Sequence, residues 1–238
     1  IKVNKYDVIH CHQYSPYVYG LLASVFTSAK VIFTEHGRFY PDYSSWKRKL
    51  VNPLFSLFTS KITAISKATK GALVRYENFK ADDIEVIYNG IADYSKLRVD
   101  EESLKEAFNI PKNDFIFGTI SRLQPIKNQS MMIRAFKQLN DQLPQTHLVI
   151  VGDGEIRTNL EVLVAELKIK NKVTFTGFQK DPYRFHKMID VFLLSSFSEG
   201  TSMTILEAMS FSKPCVATSV GGNAELIKDG TNGFITTS

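Results

Sequence analysis

Short runs of β-branched and aromatic residues alternate with helical patterns along most of the chain, and this rhythm constrains the fold more than any other feature. In the first part, strands are predicted at residues 7–11, 30–34, 61–65 and 84–88, and helices at 16–26, 46–59 and 67–76. Because strands that alternate with helices build βαβ units, the pattern predicts a parallel sheet covered by helices.

The rhythm stops over residues 93–114, a polar stretch with one short predicted helix at 102–108, and then starts again. The second run has strands predicted at residues 115–120, 147–151, 173–176, 191–194, 214–218 and 233–236, with helices at 128–143, 155–167 and 203–211. Two such runs around a polar break predict an α/β fold with two Rossmann-like domains, over residues 1–92 and 93–238.

Composition narrows the class of protein without selecting a ligand. The formal net charge of +5 suits an anionic ligand, an anionic membrane surface or a nucleic acid. Cys11 and Cys215 lie far apart and form no CxxC motif, which disfavours a zinc site and favours a reducing cytoplasm. The sequence shows no apolar run of about 18 residues and no signal peptide. Both ends adjoin strand-like stretches, so we expect a piece of a larger protein.

Cationic side chains follow the first strand of the second run. Ligands of open parallel sheets bind beyond the carboxyl ends of the strands. Arg122 and Lys127 lie in such a strand-to-helix loop, and two cations beside a helix N-terminus suit a diphosphate. The alternative is an ordinary solvated basic loop.

A glycine turn follows the next strand, at Gly152, Asp153 and Gly154. The dinucleotide motif GxGxxG fails here because Arg157 stands where its third glycine would be, which disfavours an NAD oxidoreductase. The turn predicts either close approach of backbone to a ligand or a plain turn.

Two carboxylates, Glu199 and Glu207, have seven residues between them and flank the start of a predicted helix. The residues at that start are Gly200, Thr201, Ser202 and Met203. Backbone N–H groups at a helix start bind anions by donating hydrogen bonds to them. Glu207, one turn further on, can accept hydrogen bonds from both hydroxyls of a ribose. A surface glutamate is the alternative for Glu207, although apolar neighbours predict a largely buried setting. A further glycine-rich turn, at Gly221 and Gly222, lies on the same edge.

Together these motifs resemble glycosyltransferase family 4, the retaining group 1 glycosyl transferases with the GT-B fold. The resemblance rests on SRLQPIKN, VIVGDGEIR, VTFTGF, SFSEGTSMTILEAM, KPCVATSVGGNAELI and DGTNGF, with VIHCH, VIFTEHG, ITAISK and VIYNGI in the first part. The spacing of Glu199 and Glu207 is similar to the family's E-x7-E motif. Relative to the family, this chain lacks an N-terminal strand with its glycine-rich loop and a C-terminal helix, and it has Gly-Thr-Ser-Met where Gly-Phe-Pro is common.

The resemblance implies a UDP- or GDP-sugar donor and a role for each matching residue. Arg122 and Lys127 would hold the diphosphate, Glu207 the ribose, and Glu199 with residues 200–203 the transferred sugar. Backbone near Phe178 would read the base, and His36 would face the sugar from the other domain. His36 as a core histidine is the alternative, and His10 and His12 are interpreted as structural. The implied reaction is a front-face transfer without a metal or other cofactor, in which the leaving diphosphate helps to deprotonate the acceptor.

The implied acceptor is a glycan or a lipid-linked molecule in polysaccharide synthesis, and no nucleic-acid partner is expected. Helix 46–59 is aromatic and basic and follows Arg38, Phe39, Tyr40 and Tyr43. It predicts either peripheral contact with an anionic membrane or an apolar stripe packed on the sheet. The rival functions are a GT-B sugar-nucleotide epimerase, a phosphorylase and a non-catalytic nucleotide-sugar-binding subunit.

Overall fold

The computed structural model describes residues 5–37, 43–94 and 96–237. They form two compact units. The first unit comprises Ile1–Asn89 together with Ser198–Thr201, and the second comprises Gly90–Phe197 and Ser202–Ser238.

The first unit contains a parallel four-stranded sheet in the order β1-β2-β3-β4. Its elements are β1 Val8–His12, α1 Tyr14–Ser24, β2 Lys30–Glu35, α2 Trp46–Leu57, β3 Lys61–Ala64, α3 Lys67–Glu77 and β4 Ile84–Val86. The core forms around Tyr17, whose ring stacks on that of Phe33 with centroids 4.3 Å apart. This unit therefore has a hydrophobic core of its own.

The second unit contains a parallel six-stranded sheet. Its elements are α4 Glu101–Ala107, β5 Phe115–Ile120, α5 Gln129–Gln142, β6 Thr146–Val151, α6 Arg157–Glu166, β7 Val173–Gly177, β8 Val191–Leu194, α7 Met203–Ser210, β9 Cys215–Thr218, α8 Asn223–Leu226 and β10 Gly233–Thr236. Strand β6 is buried on both faces, with Leu148 and Ile150 in one hydrophobic cluster and Val149 and Val151 in the other. Helices therefore cover the two faces of this part of the sheet.

The strand order of the second unit is β10-β9-β8-β5-β6-β7. The chain runs outward from β5 through β6 to β7, and then returns to β8 on the other side of β5 before it continues to β10. The order of the strands thus reverses between β5 and β8. Loops that diverge at such a switch point leave a crevice beyond the carboxyl ends of the strands.

The predicted elements form, with boundaries that tertiary contacts adjust. Strand β4 ends at Val86 instead of residue 88, because β3 ends at Ala64, whose carbonyl accepts the last bond, from Ile87 N. Helix α6 starts at Arg157 instead of residue 155, since Ile156 N bonds to Leu123 O outside the helix. The 3₁₀ helix Pro182–Lys187 is not predicted by the sequence pattern.

Helix α2 packs through a face that combines polar residues with Phe55, whose ring centroid lies 6.2 Å from that of Tyr17 in the core. Asn52 is fully buried, donates to the carbonyl and carboxylate oxygens of Glu77, and accepts from the Tyr14 hydroxyl. Arg48 pairs with Glu77 at 3.2 Å. The apolar residues of the opposite face are 55–77% exposed, and we call them the α2 stripe: Trp46, Leu50, Leu54, Leu57 and Phe58.

The alternative that an apolar stripe of this helix packs on the sheet is therefore wrong for these five residues, whereas Phe55 does pack against the core around Tyr17. The preceding Arg38, Phe39 and Tyr40 lie outside the described residues, whereas Tyr43 is described and exposed. Within residues 5–37, 43–94 and 96–237, no helix is both long and apolar enough to cross a membrane.

Candidate donor-binding site

The end of β8 holds the loop that carries Lys127. The Ser195 hydroxyl lies 2.9 Å from the carbonyl oxygens of both Lys127 and Asn128 and donates to them. Phe197 N donates to Ile126 O at 2.8 Å. Because β5 and β8 are neighbours at the switch point, these bonds fix the backbone of Lys127 at the mouth of the crevice.

A buried glutamine anchors the other side of this loop. Gln129 is fully buried at the start of α5, and its amide donates to Arg122 O at 2.9 Å and to Ser121 Oγ at 3.1 Å. The Arg122 side chain is exposed. The loop thus presents an exposed guanidinium and a half-buried ammonium on a backbone held from two sides. Neither anchor, Gln129 or Ser195, is predicted from the sequence, since a single amide or hydroxyl forms no pattern.

The glycines after β6 allow two loops to approach each other. Gly152 has φ +131°, and a Cβ there would overlap the carbonyl oxygen of Ser121, while a Cβ at Gly154 would overlap that of Leu123. Leu123 N donates to Asp153 O at 2.9 Å, so the loops are also hydrogen-bonded. The close approach expected of this turn is thus made to a neighbouring loop of the protein.

Asp153, a predicted donor-binding residue, is engaged within its own turn. Its carboxylate accepts from Gly154 N at 2.8 Å and from Arg157 Nη1 at 2.9 Å. These two bonds, the backbone one first, lower the pKa of Asp153. Arg157, which breaks the dinucleotide motif, therefore holds the turn together.

Phe178 follows directly on β7 and is 80% exposed. The preceding residue, Gly177, has φ +71° and accepts a bond from Gly152 N at 3.0 Å. The backbone predicted to read the base is therefore tied to the glycine turn that follows β6.

Helix α7 presents its N-terminus on the other side of the switch point. Ser202 caps the helix, its hydroxyl accepting from Ile205 N at 3.3 Å. The N–H groups of Met203 and Thr204, at the first two helical positions, have no partner within a helix, so they point their positive dipoles outward. Of the predicted binding residues here, Ser202 thus organises the helix start, and Met203 offers its backbone.

Glu207 lies one turn into α7 with its side chain 19% exposed, as the apolar neighbours predict. Its Oε2 lies 3.5 Å from Nε2 of His186, which is fully buried. One edge of the carboxylate therefore faces the protein interior, and part of the side chain stays accessible.

The segment Ser198–Thr201 belongs to the first unit. The Thr201 hydroxyl donates to Ile65 O at 2.9 Å, so its proton is already used. A Cβ at Gly200 would overlap the carbonyl oxygen of His36. Glu199, in the same segment, is half-buried.

His36 follows β2 and contacts a second histidine. Its Nε2 lies 2.7 Å from Nδ1 of His12, while Nε2 of His10 lies 2.7 Å from the Thr34 hydroxyl. The buried Glu35 carboxylate accepts from the backbone N–H groups of His36 and Gly37 and so fixes the turn. Burial lowers the pKa of His36, and the neighbouring His12 and His10 lower it further. His36 is therefore neutral at pH 7 and hydrogen-bonded to His12, a contact that the sequence analysis missed.

Acidic, histidine and cysteine side chains do not cluster into a metal site in the part of the chain that the structure describes. Near the switch point, the second unit offers positive charge at Arg122, Lys127 and the N-terminus of α7.

Family profiles match both parts of the chain. The profile of the group 1 glycosyl transferases matches residues 100–238, and that of glycosyltransferase family 4 matches residues 1–93. A curated relative from Escherichia coli, UDP-Gal:alpha-D-GlcNAc-diphosphoundecaprenol alpha-1,3-galactosyltransferase, is 30% identical over 99% of this chain and 63% of its own length. The chain thus spans less than two thirds of this relative.

Solved structures share the fold. Anabaena HepE, in complex with UDP, is 29% identical with a TM-score of 0.89, covering 99% of this chain and 66% of that one. A glycosyltransferase from Rickettsia africae is 25% identical with a TM-score of 0.87, covering 100% and 64%. The predicted fold class, α/β with parallel Rossmann-like sheets of the GT-B type, is confirmed, and the chain belongs to glycosyltransferase family 4, the group 1 glycosyl transferases.

Proposed function

We propose that this chain carries the donor site of a retaining glycosyltransferase, which transfers a sugar from a nucleotide-sugar to a glycan or lipid-linked acceptor in cell-envelope polysaccharide synthesis. The observation that carries the proposal is the arrangement at the switch point of the second unit. There, the anchored Lys127 loop lies on one side, and the N-terminus of α7 with Glu207 lies on the other.

The arrangement suits the charge that the reaction develops. Negative charge builds on the β-phosphate as the glycosidic bond breaks. Arg122, Lys127 and the backbone N–H groups of Met203 and Thr204 stabilise it with fixed dipoles and cations. Two cations and a helix N-terminus supply positive charge that balances the negative charge of the leaving diphosphate. We therefore propose a reaction that needs no metal. The leaving diphosphate then takes the proton of the acceptor hydroxyl, as the family resemblance implies.

The other proposed roles follow the same residues. Glu207 accepts hydroxyls of the ribose, backbone at Phe178 reads the base, and Glu199 with Gly200 contacts the transferred sugar. His36 is the proposed catalytic residue of the first unit. UDP is the favoured nucleotide, since HepE was solved with UDP and with UDP-glucose and the Escherichia coli relative is named for UDP-Gal.

The donor site is tested by thermal unfolding of this chain with UDP, GDP, ADP and their sugars. A ligand that binds only the folded state at about 100 times its Kd adds roughly 2.7 kcal/mol of stability, which raises Tm by roughly 5–10 °C. We expect UDP and UDP-sugars to raise Tm in the wild type and to lose this effect in Glu207→Ala. Glu166→Ala, on the exposed face of α6, is the matched control and retains the shift.

The outcomes of this experiment separate the alternatives. A shift in wild type, combined with transfer to an acceptor by the intact protein, supports the transferase. Binding without turnover indicates a non-catalytic subunit, and an altered donor sugar without an acceptor indicates an epimerase. If neither this chain nor the intact protein binds any nucleotide, the proposed function is wrong.

We also propose that the protein works in the cytoplasm with the first unit against an anionic membrane. The α2 stripe supports this, because five exposed apolar side chains on one face lie beside Lys47 and Lys49. Apolar groups that enter the headgroup region and flanking cations that attract anionic lipids are the two components of peripheral membrane binding.

Vesicle co-sedimentation tests the membrane contact. The wild type is expected to sediment with phosphatidylglycerol-containing vesicles and less with neutral ones, and Leu50→Ser with Leu54→Ser is expected to abolish this. A matched double variant of exposed apolar residues in the second unit, Leu143→Ser with Val162→Ser, keeps binding. Equal sedimentation of both double variants would contradict the proposal.

A further inference from the structure

His186 is a fully buried polar residue that none of the predicted roles uses. It lies in the 3₁₀ helix Pro182–Lys187, between β7 and β8. Its ring packs between two aromatic rings, with centroids 5.2 Å from Phe192 and 5.5 Å from Phe211. An apolar side chain would fill such a space without the cost of desolvating an imidazole. A histidine at this position therefore indicates a role for its polar ring nitrogens.

The polar edge of this ring faces Glu207. His186 Nε2 lies 3.5 Å from Oε2 of Glu207, at the outer limit of a hydrogen bond. Among the described residues, neither ring nitrogen has a partner at hydrogen-bond geometry. An imidazole carries at least one N–H in every protonation state, and a buried N–H without an acceptor is unfavourable. The Glu207 carboxylate is the acceptor beside it.

The charges around the ring define its protonation. Burial lowers the pKa of His186, Glu207 opposes this shift, and Lys213 adds to it. At pH 7 the ring is neutral and carries one proton. The tautomer with that proton on Nε2 can donate to Oε2 of Glu207, whereas the other tautomer would place two acceptors against each other.

We propose that His186 is a positioning residue for Glu207, whose Nε2–H holds Oε2 so that the other carboxylate oxygen points to the ribose hydroxyls of the donor. A small rotation of Glu207 shortens the 3.5 Å separation when the ribose binds. The proposal rests on the proposed function, because it assigns the ligand of Glu207 as a ribose.

Calorimetry tests the positioning role with UDP and with 2′,3′-dideoxy-UDP, which lacks both hydroxyls. His186→Leu is expected to weaken UDP binding about tenfold and to leave the dideoxy analogue unchanged. In a Glu207→Gln background the same substitution has no further effect. His186→Gln, which keeps an N–H donor, recovers part of the affinity. In the intact enzyme, His186→Leu raises the donor KM about tenfold and changes kcat less than twofold.

A second measurement does not depend on the ligand. Nitrogen NMR is expected to show the Nε2–H tautomer of His186, and Glu207→Gln is expected to shift that resonance and lower the pKa of His186 further. This comparison decides the contact even if His186→Leu fails to fold.

The failures are distinguishable. Equal UDP affinity in wild type and His186→Leu, or an His186 resonance that ignores Glu207→Gln, overturns the positioning role and leaves the proposed function intact. Absence of nucleotide binding in both this chain and the intact wild-type protein overturns both.

Discussion

At the scale of single residues, the second unit places its cations by fixing backbone. Lys127 owes its position to Ser195, whose hydroxyl holds two consecutive carbonyl groups of the loop. We predict that Lys127→Ala lowers kcat about 100-fold and donor affinity much less, since charge on the β-phosphate grows as the bond breaks. Steady-state kinetics of the intact enzyme measures this. Lys137→Ala, which removes a surface ion pair with Asp141, is the control. Equal losses in the two variants would exclude the role of Lys127.

Sequence patterns predict residues of this kind unevenly. The sequence predicts roles for Arg122, Lys127, Glu199 and Glu207, because charge follows strands and because a motif repeats a known spacing. Gln129 and His186 are missed, since an isolated buried polar residue has no periodicity and its partner lies elsewhere in the chain. Asp153 and Thr201 are also predicted to bind the donor, but their side chains have partners within the protein, which no spacing reveals.

At the scale of elements, two glycines differ in whether their surroundings allow a side chain. Gly152 has φ +131° and no room for a Cβ, whereas Gly71 lies in the interior of α3 with nothing within 4 Å. Gly152→Ala is expected to lower the free energy of unfolding by about 1–3 kcal/mol and to weaken nucleotide binding through the Lys127 loop. Gly71→Ala is expected to raise the free energy of unfolding by about 0.5–1 kcal/mol.

Denaturant unfolding of the two glycine variants decides between backbone strain and a general effect of the added methyl group. A Gly152→Ala protein as stable as the wild type would show that the two loops separate at little cost. The sequence predicts that a glycine turn stands here, because Gly-Asp-Gly follows a strand. It does not predict which neighbouring backbone the turn meets, since that depends on strand order.

At the scale of the whole molecule, one buried histidine makes stability depend on pH. Burial lowers the pKa of His147 to about 4, against an opposing effect of Asp114 and a reinforcing one of Lys172. Its ordinary pKa is 6.5, so between pH 6.5 and 4 the unfolded chain binds a proton that the folded chain does not. His147 therefore destabilises the fold as the pH falls through this window, by up to about 3 kcal/mol.

Urea unfolding at pH 7.5 and pH 4.5 measures this effect. The wild type is expected to lose more stability than His147→Leu over the interval, since leucine does not titrate. The variant also loses the 2.8 Å bond to the Thr174 hydroxyl, which costs the same at both pH values. Equal losses in the two proteins would show that other groups cause the pH dependence.

The class of fold was predictable from the sequence, but the order of the strands in the sheet was not. Alternating strands and helices predict parallel sheets in two runs, and β5, β8 and β10 have the predicted bounds. Nothing local places β8 beside β5, because that pairing joins residues such as Phe117 and Val191, which are more than 70 positions apart. The switch point, and with it the mouth of the crevice, follows from this pairing alone.

In helix α2, the residues that attach the helix to the fold are different from the exposed apolar residues of the α2 stripe. Its attachment to the fold uses Arg48 and Asn52 with their partners Tyr14 and Glu77, together with Phe55, while the residues of the α2 stripe are 55–77% exposed. Substitutions in the stripe can therefore change the size and hydrophobicity of its side chains while the helix stays packed on the first unit. If the proposed membrane contact holds, its strength can change through the stripe independently of folding, within the thirteen residues from Trp46 to Phe58.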